Sequence, residues 1–514
     1  MDTQDSQLLR EVVKELAALK QNHSAFESSA DEKYANVQAL DVSWLVLCGA
    51  IVFFMQAGFS MLEVGAVRSK NHINILYKNI MDGAVAAIGF WMVGYMFAYG
   101  KTAGGFVGIE GGLFFCQSIQ NNVNGEGSAG FESWFFQWTF AGAASTIVSG
   151  SVAERMKFEA YLVVSFFITC FIYPIAVHWV WGQGFLSAWG AMPDADGKTF
   201  PLFSGTETSR GMVDFAGSGC VHMIGGVAGL MGAIMLGPRK GRFVNGKPVT
   251  FPPSNQIMMA LGTMILWFGW YGFNCGSTLV LSGNAANVAA KVAFTTTISA
   301  SSGCLTMTLI ARFFEKYFDI GLALNGILAG LVSITASCAV VNSWHAFIIG
   351  MIGAFVVYGA SKLLLKLQID DPLDAFPVHG CCGLWGVIAT GIFCTDKNVA
   401  YAGYPNGNTC NACSTGEQLG VQIVGALVLF TWSAVTSGAV FLALKLTMGI
   451  RVSEQVEDEG MDISEHGPPY GNNSAVFPLD SSPVKMVTVS VNSTNPLESV
   501  IPRYEPPQVP LTDF

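Results

Sequence analysis

The sequence predicts an all-α polytopic membrane protein with eleven transmembrane helices. Charged residues make up 12% of its 514 residues and hydrophobic residues 51%, whereas soluble domains are about 25% charged. The mean hydropathy is +0.46. Eleven apolar segments have roughly the 20 residues that a bilayer crossing requires. Lys and Arg recur in every second loop between these segments. Composition, segment length and charge alternation therefore all indicate repeated membrane crossings.

The eleven predicted spans follow one another with short connections and several internal glycines, which membrane helices use for close packing. Their predicted bounds are 43–66, 78–99, 131–152, 158–180, 214–236, 256–275, 288–312, 320–340, 344–366, 376–394 and 419–447. Before the first span, MDTQDSQLLREVVKELAALK has Leu and Val at helical spacing, which predicts a short amphipathic helix. It would either fold onto the protein surface or form a small coiled coil between subunits.

Basic residues set the predicted orientation. They follow the odd-numbered spans, in RSKNHINILYK, ERMKF, GPRKGRFVNGK, ARFFEKYF and SKLLLKLQ. Since Lys and Arg are enriched in cytoplasmic loops, the N-terminus is predicted to be extracellular and the C-terminus cytoplasmic. The chain thus divides into an extracellular segment (1–41), a membrane domain (42–448) and a cytoplasmic regulatory tail (449–514). The distal tail is rich in Pro and Ser and is predicted to be disordered.

Two histidines lie inside apolar segments, His222 in GSGCVHMIGG and His379 in FPVHGCCG. An acidic residue precedes each at the start of its segment, Asp214 and Asp374. An ionisable side chain at membrane depth is costly, so it is generally paired, faces inward and belongs to a pathway. Either histidine alone could be a hydrogen-bonded core residue, but two of them suggest one polar line through the protein.

Other classes of site are not indicated. The sequence has no basic patch suited to nucleic acid, and no nucleophile–base set or metal cluster stands out, so we expect neither an enzyme nor a cofactor. Four cysteines fall in or beside loops predicted to be external, where disulfides are permitted. These are Cys116, Cys394, Cys410 and Cys413. Their pairing cannot be read from the sequence.

Five stretches resemble the ammonium transporter family (the Amt/Mep proteins), in particular its eukaryotic, plant-like type. In chain order they are FQWTFAGAASTIVSGSVAERMKF, DFAGSGCVHMIGGVAGLMGA, WFGWYGFNCGS, DDPLDAFPVHGCCGLWG and RVSEQVEDEGMDISEHG. The resemblance implies two inverted five-helix repeats plus an eleventh helix, assembled as a homotrimer with one pore per subunit. It also implies a multi-pass protein of the plasma membrane, surrounded by lipid, that serves nitrogen uptake.

The resemblance further implies an outer recruitment site for ammonium or methylammonium. Trp181 would supply an aromatic face, to which cations bind, and Ser277 an acceptor oxygen. Phe140 would complete this site and, with Phe273, form a hydrophobic gate that excludes hydrated ions. Asp214 would have a structural and electrostatic role at the start of its helix.

Below the gate, the resemblance makes His222 and His379 a pair that lines a hydrophobic pore. Imidazole can donate from one ring nitrogen and accept at the other, and it titrates near neutrality. A shared hydrogen bond between the two rings would let them relay a proton. The implied mechanism recruits ammonium, removes its proton and passes ammonia, with or without the proton, through the pore.

The tail stretch implies regulation. Ser464 in MDISEHG stands where plant members carry a phosphorylatable Thr, so a kinase is an expected partner. Phosphate would add up to two negative charges beside Asp462 and Glu465 and undock the tail from the neighbouring subunit. Glu465 replaces an Arg of the plant members, which leaves the kinase open.

Two alternatives to transport remain at this level. A Rhesus-type ammonia or carbon dioxide channel would keep the twin histidines, but such proteins generally lack the outer Trp and Ser represented here by Trp181 and Ser277. An ammonium sensor on a transporter scaffold would signal through its tail, and it would need a partner because no signalling module follows residue 450.

Overall fold

The computed structural model describes residues 3–109, 111–117, 119, 130–189, 202, 211–405 and 410–467. Most of them are helical. The α-helices are α1 (Thr3–Ala66), α2 (His72–Gly89), α3 (Tyr95–Tyr99), α4 (Phe131–Val152), α5 (Phe158–Phe167), α6 (Tyr173–Val180), α7 (Ile224–Leu236), α8 (Gln256–Gly276), α9 (Ala285–Ile310), α10 (Ile320–Thr335), α11 (Ser343–Lys366), α12 (Cys382–Phe393), α13 (Asp396–Tyr401), α14 (Ala412–Thr415), α15 (Glu417–Thr447), α16 (Glu454–Glu459) and α17 (Met461–His466).

Several helices are continued by π-helical turns, in which the backbone winds more widely than in an α-helix. These turns are Phe90–Gly94, Ile168–Ile172, Ser218–Met223, Ala311–Glu315 and Phe376–Cys381. Two short antiparallel pairs lie in loops. They are β1 (Thr102–Ala103) with β2 (Val107–Gly108), in register Thr102 to Gly108, and β3 (Phe243–Val244) with β4 (Lys247–Pro248), in register Phe243 to Pro248.

All eleven predicted spans coincide with helical segments of the structure. Within the described residues, seven helical segments are long and apolar enough to cross a membrane by length and composition. The helices α4, α8, α9 and α10 are not among the seven. In α4 every residue from 139 to 152 is buried. This helix can therefore contain small polar residues such as Ser and Thr, because they do not face lipid, and these residues lower its mean hydropathy. The number of eleven crossings therefore stays a prediction.

The N-terminal segment differs from its expected form. Instead of a separate short amphipathic helix, α1 runs without a break from Thr3 to Ala66. Val13, Leu16 and Leu19 are 62%, 66% and 67% exposed, so these side chains do not pack onto the described part of the chain.

The helix α8 packs closely against the C-terminal part of α1, roughly from Cys48 to Gly65. A Cβ atom on Gly262 would lie 2.3 Å from the backbone nitrogen of Leu62 and 2.6 Å from the carbonyl of Gly58. Only glycine permits this approach, a common device where membrane helices meet. The two helices form one wall of the functional site.

Two predicted spans have shorter helices in the structure than their apolar sequence indicates. Helical structure in the fifth span begins at Ser218 rather than at 214, and α10 ends at Thr335 rather than at 340. The backbone N–H groups of Phe215 and Ala216 donate to the carbonyls of Ala336 and Thr335. The non-helical residues before Ser218 are thus hydrogen-bonded to the end of α10. Both segments are buried, which explains why their sequence is apolar although it is not helical.

The proximal tail packs with the membrane domain. The described residues up to Gly467 belong to one compact unit, and the division between membrane domain and tail at 449 stays a prediction. Asn71 Oδ1 accepts from Met461 N–H at 3.0 Å, and Asn74 N–H donates to Asp462 Oδ1 at 2.8 Å. The loop after α1 and the start of α2 therefore hold α17. The expected disorder of the distal tail concerns residues outside the described ones.

Candidate functional site: a histidine pair beneath an aromatic cavity

The two histidines predicted from sequence meet inside the helix bundle. The Nδ1 atoms of His222 and His379 lie 3.2 Å apart, and the ring centroids are 5.3 Å apart with planes inclined by 22°. The two residues are 1% and 5% exposed. Within the described residues His222 Nε2 has no hydrogen-bond partner. One shared hydrogen bond joins the rings, so one ring donates while the other accepts.

Both histidines lie in π-helical turns, Ser218–Met223 and Phe376–Cys381. Such turns replace part of the regular α-helical hydrogen bonding and often occur at functional positions. The wider winding changes the direction in which each side chain projects from its helix. Nothing in the composition of these segments distinguishes a π-helical turn from an α-helix, so sequence reasoning missed it.

The turn that carries His222 is fixed by a carboxylate at its entrance. Asp214 Oδ1 accepts from Gly217 N–H at 3.0 Å, and Oδ2 accepts from the N–H groups of Gly219 and Cys220 at 2.9 Å. Gly217 has φ +104°, a conformation that glycine adopts without strain. Asp214, 2% exposed, thus satisfies the free amides of a helix start.

The carboxylate that corresponds to Asp214 before the turn of His379 is Asp371. Asp371 precedes His379 by the same eight positions that separate Asp214 from His222. Asp371 Oδ2 accepts from Phe376 N–H at 2.8 Å. Asp374, the acidic residue that lies nearer to His379, does not make this capping bond. Asp374 Oδ1 accepts from the Ser361 hydroxyl at 2.8 Å instead.

Aromatic rings in contact with one another form a continuous row from Trp181 to His222, which we call the file of rings. Trp181 and Phe140 are 6.0 Å apart in edge-to-face contact, and Phe140 stacks on Phe273 at 3.9 Å with planes inclined by 20°. Phe273 lies 5.4 Å from His222. Phe140 and Phe273 are 1% and 0% exposed. The stacked pair thus closes the space between the outer aromatic residues and the histidines.

Trp270 is a member of this file that sequence reasoning missed. Its ring stacks on His222 at 5.0 Å with planes inclined by 14°, and its Nε1 donates to Thr335 Oγ1 at 2.9 Å. Trp270 precedes Phe273 by three residues on α8, so the two share one helix face. That spacing could have indicated a common role, because Phe273 was already a candidate.

Above the stacked phenylalanines is a cavity of about 70 Å³ that brings together the three residues predicted for the recruitment site. Trp181 is oriented by its Nε1, which donates to the carbonyl of Asp214 at 2.6 Å. The Ser277 hydroxyl donates to the carbonyl of Phe273 at 2.9 Å, which leaves its oxygen as an acceptor. Six further residues line the cavity: Tyr99, Phe136, Gln137, Trp189, Phe215 and Leu279.

At the other end of the bundle lies a group of paired charges, which we call the ionic cluster: Arg68, Glu154, Arg239, Arg242 and Asp370. Arg239 bonds Asp370 Oδ2 through Nε at 2.8 Å and Glu154 Oε1 through Nη1 at 3.0 Å. Arg242 Nε reaches Asp370 Oδ1 at 3.2 Å, and Arg68 pairs with Glu154. Burial alone would raise the pKa of Asp370, but the hydrogen bonds and charge of Arg239 hold it well below the usual range.

The neighbouring carboxylates Asp370 and Asp371 have different partners. The side chain of Asp370 bonds Arg239 and Arg242 of the ionic cluster, and Asp371 caps the turn of His379. Tail contacts come from other residues, including Asn74, whose Nδ2 donates to Glu465 Oε2 at 2.6 Å. Ser464 is exposed, and its hydroxyl donates to the carbonyl of Gly460 at 3.0 Å.

The pairing of two loop cysteines, left open by the sequence, is decided by the structure. Cys394 and Cys413 form a disulfide. Cys394 directly follows α12, whose preceding turn carries His379. The bond therefore ties the end of that helix to the segment before α15.

The helical bundle, its long apolar helices and its buried line of aromatic and imidazole rings define a multi-pass membrane protein. A model of the family described as "Ammonium Transporter Family" matches residues 43–469. The chain belongs to the ammonium transporter family.

Named relatives agree with this assignment. Ammonium transporter Amt2 of Archaeoglobus fulgidus is 41% identical over 83% of this chain and 87% of the relative. Ammonium transporter 1 member 3 of Solanum lycopersicum is 38% identical over 84% of this chain and 92% of the relative. The similarity to plant members predicted from the motifs is thereby confirmed.

Solved structures match as well. A structure titled "Sensor Amt Protein" superposes with a TM-score of 0.72 at 33% identity, covering 84% of this chain and 99% of that one. The crystal structure of Saccharomyces cerevisiae Mep2 superposes with a TM-score of 0.69 at 27% identity, covering 80% of this chain and 89% of the other.

Proposed function

We propose that this protein transports ammonium by recruiting the cation in the outer cavity, removing its proton and passing ammonia through the pore of His222 and His379. The observation that carries the proposal is the file of rings from Trp181 through Phe140 and Phe273 to the histidine pair. It joins a cation-binding surface to two groups able to exchange a proton.

Recruitment relies on two kinds of cation ligand in one cavity. Trp offers the strongest cation–π face among the aromatic residues, and the indole of Trp181 is held by its bond to Asp214. Ser277 already donates its proton to Phe273, so its oxygen is free to accept a hydrogen bond from ammonium. Potassium has no N–H groups to donate, so this oxygen favours ammonium by hydrogen bonding as well as by charge.

Below the cavity, the stacked Phe140 and Phe273 must separate to admit anything. Their rings offer no hydrogen bond to replace the hydration shell of an ion, which makes entry of a charged species costly. Ammonia is neutral and pays no such charge penalty. The histidine pair then offers a hydrogen-bond acceptor and a donor for the proton removed from ammonium. This proton can either follow ammonia through the pore or return to the outer side.

The spacing of acidic residues and histidines supports the proposed arrangement of the whole protein. The eight-residue spacing of aspartate and histidine, repeated at Asp214 and Asp371, agrees with two inverted five-helix repeats, which commonly form a site at their interface. We further propose a homotrimer in the plasma membrane, with the N-terminus extracellular and the tail cytoplasmic. Ser464, exposed on a docked helix, is the proposed target of a kinase.

The direct test is growth and uptake in a yeast strain that lacks its own ammonium transporters. The wild-type chain should restore growth on low ammonium and take up labelled methylammonium, with little inhibition by potassium. Voltage-clamp currents in oocytes would show whether the proton travels with ammonia. A protein that reaches the plasma membrane and restores neither growth nor uptake would contradict the proposal.

A sensor is the second candidate, because one matching structure is titled "Sensor Amt Protein". A sensor would alter a cellular response to ammonium in a variant whose uptake is blocked. The Rhesus-type alternative is disfavoured because Trp181 and Ser277 both line the outer cavity.

A further inference from the structure

Trp189 lines the same cavity as Trp181, Phe140 and Ser277, yet the function proposed above gives it no part. Trp189 is 44% exposed. It therefore lies on the solvent-accessible side of the cavity, where a cation arrives from water. No sequence motif singles out this residue, which follows α6 in a loop.

The ring of Trp189 has a fixed support. It stacks on Tyr404 with centroids 4.5 Å apart and planes inclined by 20°. Tyr404 is only 5% exposed, so it acts as a buried backing. Because stacking occupies one face of the indole, Trp189 contributes its other face and its edges to the cavity wall.

Tyr404 lies in a segment whose two ends are linked to each other. The disulfide between Cys394 and Cys413 joins the first and last residues of this segment. Asp396 adds a second tie, because its carboxylate accepts from Cys413 N–H and Ser414 N–H at 3.1 Å each. Cross-linking of this kind restricts the conformations open to the segment and so keeps Tyr404 behind Trp189.

We infer that Trp189 is a second cation-recruiting residue of the outer cavity, positioned by Tyr404 and by the disulfide-closed segment 394–413. The inference rests on the proposed function. The ligand class is ammonium or a small primary ammonium ion such as methylammonium, which binds more strongly between two aromatic rings than against one. Tyr404 and the disulfide are positioning elements that do not touch the substrate.

The test is the concentration dependence of labelled methylammonium uptake in yeast lacking its own ammonium transporters, with surface protein quantified for each variant. Trp189→Leu should raise the half-saturating concentration about two- to five-fold, as expected for a partly exposed cation–π contact, with the maximal rate per surface protein retained. Trp189→Phe should lie between wild type and Trp189→Leu.

Trp344→Leu is the matched control. Trp344 is also well exposed, at 60%, and also contacts an aromatic ring, that of His345, in an edge-to-face arrangement at 4.0 Å. It does not line the cavity, so its removal should leave the half-saturating concentration unchanged.

Two further variants test the positioning elements. Tyr404→Ala, and the double variant Cys394→Ser with Cys413→Ser, should each raise the half-saturating concentration by no more than Trp189→Leu does. Neither should raise it further when Trp189→Leu is already present, because both act through that ring. Tyr404→Phe keeps the stack and should behave as wild type.

The possible results separate this inference from the function on which it rests. If wild-type uptake saturates while Trp189→Leu has an unchanged half-saturating concentration, or loses only maximal rate, the inference is wrong and the proposed function stands. If Trp189→Leu does not reach the surface, Trp189→Phe and Tyr404→Ala decide, and unchanged values in both overturn the inference. If the wild type moves no methylammonium or ammonium, both proposals fall together.

Discussion

At the histidine pair, the proposed centre of the pore, His222 and His379 share one hydrogen bond, and His222 Nε2 has no partner among the described residues. In the ionic cluster, by contrast, both oxygens of Asp370 accept from arginine, and Glu154 meets two arginines. Both regions are buried and polar. The histidine pair keeps unused hydrogen-bonding capacity that a substrate can use, whereas the carboxylates of the ionic cluster are paired with arginine on both oxygens and so stabilise the fold.

The largest effect should come from the pore centre. His222→Ala or His379→Ala leaves the other imidazole without its partner in an apolar tube, and we expect either change to abolish selective ammonium transport. His222→Asp or His222→Glu should keep some flux but lose discrimination against potassium. Uptake of labelled methylammonium in competition with potassium measures both outcomes.

His345→Gln serves as the control for these variants. His345 lies at the start of α11, where its Nδ1 accepts from Asn342 N–H at 3.2 Å, away from the file of rings. Uptake should persist in this variant. If both alanine variants keep wild-type selectivity, the histidine pair does not determine selectivity. Its unpaired hydrogen-bonding groups would then have no role in transport, and the contrast with the ionic cluster would not hold.

The second largest effect should come from a charge added to the docked tail. Ser464→Asp places a carboxylate next to Glu465, beside the tail contacts made by Asn74, and like charges repel. We expect undocking of the tail and loss of transport in every pore of a trimer, since one undocked tail biases a shared assembly. Ser464→Ala adds no charge and should stay active.

Co-expression of Ser464→Asp with wild type at rising ratios measures this coupling. A loss of uptake steeper than the mutant fraction indicates coupled subunits. A strictly proportional loss means that the subunits act independently, and wild-type activity of the variant alone removes Ser464 as a switch.

In the ionic cluster we expect an effect on stability rather than on selectivity. Asp370→Ala leaves Arg239 buried without its main partner, which typically costs about 3–5 kcal/mol. Thermal unfolding in detergent should show a markedly lower melting temperature, while the protein that remains folded discriminates ammonium from potassium as wild type does. A change of selectivity without a loss of stability would reverse the roles assigned to the two regions.

Acid should act on the ionic cluster in a definite direction. Arginine lowers the pKa of folded Asp370 below the unfolded value of about 4. The stabilisation is therefore complete above that value and is lost as the pH falls through the lower folded-state pKa. Asp458→Asn is the exposed control. It removes a pair with Lys240 that is solvent-screened, and it should leave the melting temperature unchanged.

The smallest effect should come from the outer cavity, where binding is shared among several residues. Trp181→Leu removes a cation–π face while keeping bulk, so the half-saturating concentration should rise several-fold. Ser277→Ala removes one acceptor and should act in the same direction but more weakly. Saturation curves of methylammonium uptake measure both. If neither curve moves, recruitment takes place elsewhere.

The helical segments and most of the candidate residues were accessible from the sequence. Apolar length and the basic loops predicted helices wherever the structure has its long ones. The motifs selected Trp181, Phe140, Phe273 and the two histidines, which the structure brings into one file. Trp270 was missed because a tryptophan in an apolar helix has no local feature that distinguishes a ring stacked on a functional histidine from a ring of the core.

What the sequence by itself determined is therefore local: which segments are apolar, which loops are basic and which titratable groups lie at membrane depth. The tertiary structure alone decided that Asp371 rather than Asp374 caps the second histidine turn, that Cys394 pairs with Cys413, and that Tyr404 supports Trp189. Each of these depends on contacts between particular side chains or on the local course of the backbone. Composition and helical periodicity describe neighbours along one segment, whereas such contacts arise only when the folded backbone brings the groups together.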